Sequence, residues 1–269
     1  MPYTTFDELK NAIGKQREII SVNIGANTVI AGRVYDLWRA VLPQGAVPSA
    51  PVVPNNDTLG CLGQRDAGAG LTNRIISARF NAQSPGNIII CDRLSHQGGL
   101  SGTVTTPQTT NLPTAAITRG SAEGVMLGLT IYTQIGATAT TVSATYTNQN
   151  SVGSRVTPQV VFGGTGFREA NRMILLPLQE GDTGVESVQS VTVTATTGTA
   201  GAFGVTLFRP ILAICIDNMS GILSTAGIIV GNTCGGISAV PNGSCLFPIM
   251  IGASTTGAGS GALLIDEIS

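Results

Sequence analysis

Short segments in which apolar and hydroxyl side chains alternate constrain the fold of this chain more than any other feature. In SVQSVTVTATTGTAGAFGVTL, residues 187–207, Val191 and Val193 alternate with threonines, and Phe203 and Val205 repeat the pattern after the turn TGTAG. A period of two is typical of a half-buried strand, because successive side chains point to opposite faces of a sheet. The segment therefore predicts two strands joined by a turn.

The same pattern recurs along the chain between Gly-rich turns, and 35 of the 269 residues are glycine. Many short strands with few helical patterns predict an all-β fold, with a β-sandwich or jelly-roll-like body. We expect residues 61–269 to form this body as a single domain of about ten strands. The predicted strands are 73–80, 87–93, 125–134, 140–147, 173–178, 188–196, 203–208, 213–217, 245–253 and 262–268.

The first 60 residues are expected to form a short N-terminal helix followed by an extended Pro/Gly-rich arm. Thr5 and Glu8 have the spacing of a capping box, and Phe6, Leu9 and Ile13 form an apolar stripe at helical spacing. An isolated helix of about ten residues is marginally stable. The stripe is therefore expected to dock, either on the same chain or on a neighbouring subunit.

The segment VYDLWRAVLP predicts a second helical turn that ends at Pro43. One face of the turn carries Val34, Leu37, Trp38 and Val41. Trp38 is interpreted as a packing anchor. Residues 43–60 hold four prolines without periodicity, which indicates an extended linker or an arm that follows the protein surface.

Charge is scarce: 11% of residues are charged, the net charge is −1, and residues 124–154 and 218–265 carry no charged side chain. A nearly neutral surface tends to associate. Either other subunits cover much of it, or Ser, Thr, Asn and Gln keep it hydrated. We favour an assembly, and the absence of a basic surplus argues against a nucleic-acid partner.

Two arginines flank Glu169 in FREANR, and a planar guanidinium suits a partly buried ion pair between subunits. Together with the helix stripe and the tryptophan, they make up the candidate interface residues. These are Phe6, Leu9, Ile13, Trp38, Arg168 and Arg172.

No membrane segment or secretory signal is expected. The N-terminus MPYTTFDELK is polar and acidic, and the most apolar region, from Ile211, is interrupted by Asp217 and Asn218. Cysteine spacing indicates no zinc site. A disulfide between Cys234 and Cys245 is conceivable, with five reduced thiols as the alternative.

Residues with catalytic potential are few. The one histidine, His96, lies near Asp92 and Ser95, but a Ser-His-Asp triad needs convergence in space, and a loop histidine is the simpler interpretation. Without further histidines or a coherent nucleophile, we expect no enzyme and neither a catalytic, a cofactor-binding nor a metal site.

Two other motifs allow a chemical interpretation. Glu180, Asp182 and Glu186 could bind Ca²⁺ or cleave a glycan, or they could be a solvated turn between strands. The pieces FGGTGF and GASTTGAGSGA lack the Lys-Ser/Thr ending of a phosphate-binding loop and are interpreted as turns.

Several longer motifs resemble a family of structural proteins in the virions of tailed bacteriophages. They are TFDELKNAI, AGRVYDLWRA, CDRLSHQGGLSGTVTTPQT and LPLQEGDTGVESVQSVTVTATTGTAGAFGVTLFRPI, which cover less than half of the chain and end before Met219. The resemblance implies a capsid decoration or cement protein, assembled in the host cytoplasm, that sits as a homotrimer on the shell of major capsid protein. It identifies no individual contact residues.

Two other roles stay open. A tail, baseplate or fibre component would have a similar composition, although no internal repeat is evident. A glycan-binding β-domain is the alternative outside the virion, with the acids at 180–186 as its candidate site.

Overall fold

The structure is a computed structural model, and it describes residues 18–25, 29–82, 86–112, 119–216, 238–252 and 259–268. Within these ranges the chain forms fifteen strands and one 3-10 turn, Leu37–Arg39, which confirms the all-β prediction. The helix predicted around Phe6, Leu9 and Ile13 lies outside the described residues. The strands are β1 (Glu18–Ile24), β2 (Val34–Asp36), β3 (Thr72–Ala82), β4 (Gly86–Leu100), β5 (Gln108–Thr109), β6 (Met126–Thr133), β7 (Ala139–Asn148), β8 (Arg155–Val156), β9 (Val160–Gly163), β10 (Met173–Leu176), β11 (Val185–Val193), β12 (Ala202–Ile216), β13 (Ser238–Val240), β14 (Leu246–Gly252) and β15 (Gly259–Ile268).

The described strands form three antiparallel sheets. The first has the order β1-β15-β3-β13, the second β10-β6-β12-β4-β14-β2, and the third β5-β11-β7-β8, with β9 also paired to β7. Strands distant in sequence are neighbours in all three sheets, so the strand order could not be read from local patterns.

The six-stranded sheet curls until its two edge strands meet. Tyr35 in β2 forms an antiparallel bridge with Arg172, just before β10, and the Asp36 N–H donates to the Asn171 carbonyl at 2.9 Å. Strong curling and closure of this kind remove exposed strand edges. We call this element the closed sheet.

The closed sheet packs against the other two sheets through separate apolar cores. Ile88 and Ile90, in the first half of β4, lie in one core with β1, β3 and β15. Leu94 and Leu100, in its second half, lie in another core with β7 and β11. The curled sheets packed in this way agree with the predicted sandwich, and β4 and β12 are long because they serve both cores.

Two segments between the predicted helix and the Pro-rich residues 43–60 belong to the sheets, which the predicted helix and arm did not include. In β1, EIISVNI, Ile20, Val22 and Ile24 are buried at alternate positions against the first core. β2 pairs with β14 in the closed sheet. Period-two burial decides the structure of both segments, and the alternation in EIISVNI was the available signal.

The predicted turn in VYDLWRAVLP is present as a single 3-10 turn. The Asp36 carboxylate accepts a hydrogen bond from the Trp38 N–H at 2.9 Å, which caps the turn. Residues 43–60 follow the surface as predicted. Val52 exchanges backbone hydrogen bonds with His96, and the Pro48 carbonyl accepts one from Gly98.

Burial explains half of the uncharged segment 187–207. β12 lies between β4 and β6, and Val205 and Thr206 at consecutive positions are both buried. Residues 203–208 of this strand are all buried, so charge is not needed there. β11 and its neighbours, by contrast, present a neutral face outward.

Candidate functional site

The interior of the closed sheet holds a fully buried ion pair. Arg93 on β4 donates to the Asp36 carboxylate on β2 at 2.6 Å, and both side chains have no exposed surface. The same carboxylate oxygen accepts from the Thr130 hydroxyl at 2.7 Å, and Arg93 donates to the Thr206 hydroxyl at 2.9 Å. Four strands thus supply one polar network.

Aromatic rings complete the surroundings of the arginine. The guanidinium carbon lies 3.9 Å from the Phe247 ring centroid and 4.7 Å from that of Trp38. Burial opposes the charged form, but the Asp36 carboxylate outweighs it and raises the pKa of Arg93. The guanidinium therefore stays charged in the folded state, and the hydrogen bonds of the pair link four strands.

A second buried pair ties a loop to β4. Arg119 makes two hydrogen bonds of 3.0 Å to the Asp92 carboxylate and a third, of 2.7 Å, to the Arg93 carbonyl. Asp92 also accepts from the Cys245 N–H at 2.9 Å. Planar two-point pairing of this kind is geometrically specific and positions the chain rather than a substrate.

The structure does not form the Ser-His-Asp arrangement, and His96 lies in a strand, not in the expected loop. His96 Nδ1 is 3.4 Å from the Arg93 guanidinium, and its ring makes an edge contact with Trp38 at 5.1 Å. Asp92 is engaged by Arg119, and the Ser95 hydroxyl is buried without a hydrogen-bond partner. Burial and the Arg93 charge lower the pKa of His96 to about 2, so the ring is neutral.

The acidic turn is a structural cluster rather than an open cation site. Asp182 accepts hydrogen bonds from the Tyr146 hydroxyl at 2.5 Å, the Asn148 amide at 2.7 Å and the Arg155 guanidinium at 2.9 Å. These bonds, led by that from Tyr146, lower the pKa of Asp182 to about 2. Glu186 accepts from a serine hydroxyl at 2.8 Å.

The described residues contain no group of three His, Cys, Asp or Glu side chains that could hold a metal ion. FGGTGF forms the predicted turn after β9, and Gly163 and Gly164 have φ of 72° and 71°, in the left-handed region that favours glycine. GASTTGAGSGA lies largely outside the described residues.

Two of the candidate interface residues lie inside their own chain. Trp38 is 1% exposed and Arg172 is 7% exposed, so neither has much surface left for a neighbouring subunit. Arg172 stacks near Tyr35 and Phe167, with its guanidinium carbon 5.9 Å and 5.2 Å from their ring centroids. Both side chains therefore pack within their own chain.

The acid between the two arginines is engaged within the chain. Glu169 accepts from Arg33 at 3.1 Å and from the Tyr35 hydroxyl at 2.9 Å, next to the point where the closed sheet joins its edges. Arg168 is half-buried and stays a candidate for contact with another subunit. Phe6, Leu9 and Ile13 lie outside the described ranges.

The third sheet presents an uncharged surface, which we call the neutral face. It consists of the positions that alternate with buried Val142, Ala144 and Val191. Its hydroxyls bond to one another, as between Thr141 and Thr194 at 2.8 Å. Its members are Thr109, Thr141, Ser143, Thr145, Val156, Val161, Ser190 and Thr192.

Two valines on the neutral face are exposed, with 45% of Val156 and 47% of Val161 accessible. Without charges or open carboxylates, this surface offers no chemistry for a small ion. It is uncharged and weakly apolar, which suits contact with another protein surface.

Sequence reasoning missed the two buried ion pairs. The available signal was a charged residue inside an apolar segment, as for Asp36 in VYDLW and Arg93 in IIICDRL. Because 57 positions separate these two residues, local patterns could not identify them as partners.

In the part of the chain that the structure describes, no helix combines the length and apolar character needed to cross a membrane.

Comparison with known proteins gives no family. No family model matches the chain, and no curated protein matches it. The structure of the infectious bursal disease virus Gx strain aligns with a TM-score of 0.18 and 9% identity, covering 100% of this chain and 83% of that chain. The crystal structure of the VP2 subviral particle of the same virus aligns with a TM-score of 0.17 and 9% identity, covering 99% and 84%.

Similarity at this level is weak and supports neither a fold family nor a function. The bacteriophage resemblance of the sequence motifs therefore stays a prediction.

Proposed function

We propose that this chain is a non-enzymatic structural component of a bacteriophage particle. In this role it is a capsid decoration or cement protein that forms a homotrimer and bridges subunits of the major capsid protein. The proposal combines the motif resemblance, the scarcity of charge in the sequence and the neutral face.

The neutral face is the observation that carries the proposal. A free monomer gains solubility from surface charge, whereas this sheet exposes hydroxyls and valines over several neighbouring strands. Contact with a second protein surface would bury Val156 and Val161 and leave no charge without a partner. Many modest contacts of this kind add up in a particle, where every subunit binds at several points.

The acidic turn gives little support to the glycan-binding alternative. Asp182 accepts hydrogen bonds from three donors of its own chain, which leaves about one of its roughly four acceptor positions for a sugar hydroxyl. Its role is to fix the turn before β11.

The test is the light-scattering mass of the purified chain. The full-length protein is expected as a trimer. A form that begins at Glu18 retains β1 and should show whether the first 17 residues are needed for self-association.

A pair of glutamates on the neutral face then tests the surface itself. Ser143 and Thr192 face each other across β7 and β11, so Ser143→Glu with Thr192→Glu places two like charges side by side. We expect this variant to be a folded monomer. Thr165→Glu, in the exposed turn after β9, is the matched control and should leave the trimer intact.

A monomeric full-length protein, or a trimer that tolerates both glutamates, would refute self-association through this face. The virion assignment has its own test, which is mass spectrometry of purified particles from the phage that encodes the chain. Absence of the chain from those particles would refute it.

A further inference from the structure

Two cysteines far apart in the sequence are neighbours at the base of the closed sheet. Cys61 ends the arm and Cys245 immediately precedes β14. The Leu62 N–H donates to the Leu246 carbonyl at 2.7 Å, and the Cys61 sulfur lies 3.9 Å from the Ser244 carbonyl. Burial raises the pKa of the Cys245 thiol, and the neighbouring Cys61 thiol raises it further.

The Cys61 sulfur therefore lies against the peptide bond that joins Ser244 to Cys245, and both cysteines belong to the same apolar cluster. A disulfide requires this kind of proximity, because it spans Cα distances of about 4.4–6.8 Å. We expect a bond between Cys61 and Cys245 to form mainly by rotation of their side chains. The pairing considered from the sequence, between Cys234 and Cys245, cannot be placed because Cys234 lies outside the described residues.

We propose that Cys61 and Cys245 are a redox-sensitive pair that closes to a disulfide on exposure to a small disulfide such as oxidised glutathione. The Cys61 thiolate attacks one glutathione sulfur, and the other glutathione leaves as a thiolate. The Cys245 thiolate then attacks the Cys61 sulfur of the mixed disulfide, and the second glutathione leaves. Two protein thiols and one oxidised glutathione thus become one protein disulfide and two reduced glutathiones.

The order of the two steps follows from exposure. Cys61 is 8% exposed, whereas Cys245 has no exposed surface, so the reagent meets Cys61 first. Burial also raises the pKa of Cys245, which makes the second step slower at neutral pH and faster as pH rises.

The bond would fasten the arm to the closed sheet. Residues 43–60 are hydrogen-bonded to the body at Gly45, Ala46, Pro48 and Val52. A covalent link between Cys61 and Cys245 closes a loop that includes most of the chain. In the chain-entropy account, cross-links that close long loops stabilise the folded state most, because they restrict the unfolded chain most.

The experiment uses the full-length protein, incubated with oxidised glutathione and then mapped by alkylation of the remaining thiols and peptide mass spectrometry. We expect a cross-linked peptide that joins Cys61 to Cys245 and a melting temperature raised by about 5–10 °C. In Cys245→Ser, glutathione should stay trapped on Cys61. Cys215→Ser is the control, because it removes an exposed thiol and should leave the cross-link unchanged.

The wild-type map decides the proposal whether or not the serine variants fold. Recovery of both Cys61 and Cys245 as free thiols, while exposed Cys215 carries glutathione, would overturn it. A cross-link from either residue to Cys91, which lies in the same apolar cluster, would overturn it equally.

Discussion

Replacement of His96 by asparagine should remove most of the dependence of stability on pH between neutrality and mild acid. The folded protein keeps the His96 ring buried beside the Arg93 guanidinium, which holds its pKa near 2. The unfolded chain exposes the ring, with its ordinary pKa of about 6.5. Below that pH the unfolded state binds a proton that the folded state does not.

The sign and size of the effect follow from this difference. Because the unfolded state binds more protons in this window, the free energy of unfolding falls as pH falls, by about 1.4 kcal/mol per pH unit. From about pH 7.5 to about pH 4.5 the loss amounts to about 2–3 kcal/mol. His96 is the one histidine of the chain, and the lowered pKa of Asp182 acts only at lower pH.

The assay is urea unfolding at several pH values and fixed protein concentration, followed by the fluorescence of Trp38, the one tryptophan. His96→Asn keeps an oxygen that can accept from Arg93 but loses the ring contact with Trp38. We expect lower stability at neutral pH and a nearly flat pH profile, whereas Asp182→Asn should keep the wild-type slope. A variant with the wild-type slope would refute the assignment of acid sensitivity to this ring.

Three further outcomes test the buried interactions by urea unfolding. Arg93→Met leaves the Asp36 carboxylate buried without a partner charge and should lower the free energy of unfolding by about 3–5 kcal/mol. A loss below about 1 kcal/mol would contradict this expectation. Gly136→Ala places a Cβ 1.7 Å from a backbone oxygen and should lower the free energy of unfolding by about 3 kcal/mol or more. Gly153→Ala is the control, because its Cβ has its nearest neighbour at 3.6 Å and the free energy of unfolding should change little. The pKa of Asp182 is about 2 in the folded state against 3.8 ordinarily, so its contribution to the free energy of unfolding is complete above about pH 4 and is lost as pH falls towards 2. Asp182→Asn should abolish this loss of stability in acid, and a variant that keeps the loss would contradict the role of the cluster.

The sequence predicted the fold class and most strands because period-two alternation reports which side chains face a core. β7 and β11 follow this rule, with valines inward and hydroxyls outward. β4 does not, since both faces of its second half are covered and His96 and Gln97 are buried there. A polar segment buried on both sides reads as a loop, so the predicted strand ended at residue 93.

The candidate site was less predictable than the fold, for a physical reason. Asp36 and Arg93 stabilise each other only when β2 and β4 are brought together by closure of the sheet. Burial of a charge depends on a partner distant in the chain, and alternation contains no information on that partner. Trp38 was identified as an anchor, but its contact with His96 and Arg93 required the tertiary structure.

The pairing of β1 with β15 has a consequence for how the chain is made. Glu18 faces Ile265, so one sheet joins strands from opposite ends of the sequence. Contacts of such long range slow folding. During synthesis β1 and β3 each lack the neighbour that lies between them until β15 has been made. Their unpaired edges are exposed to other chains during that interval, so this sheet is the part of the growing chain most exposed to aggregation.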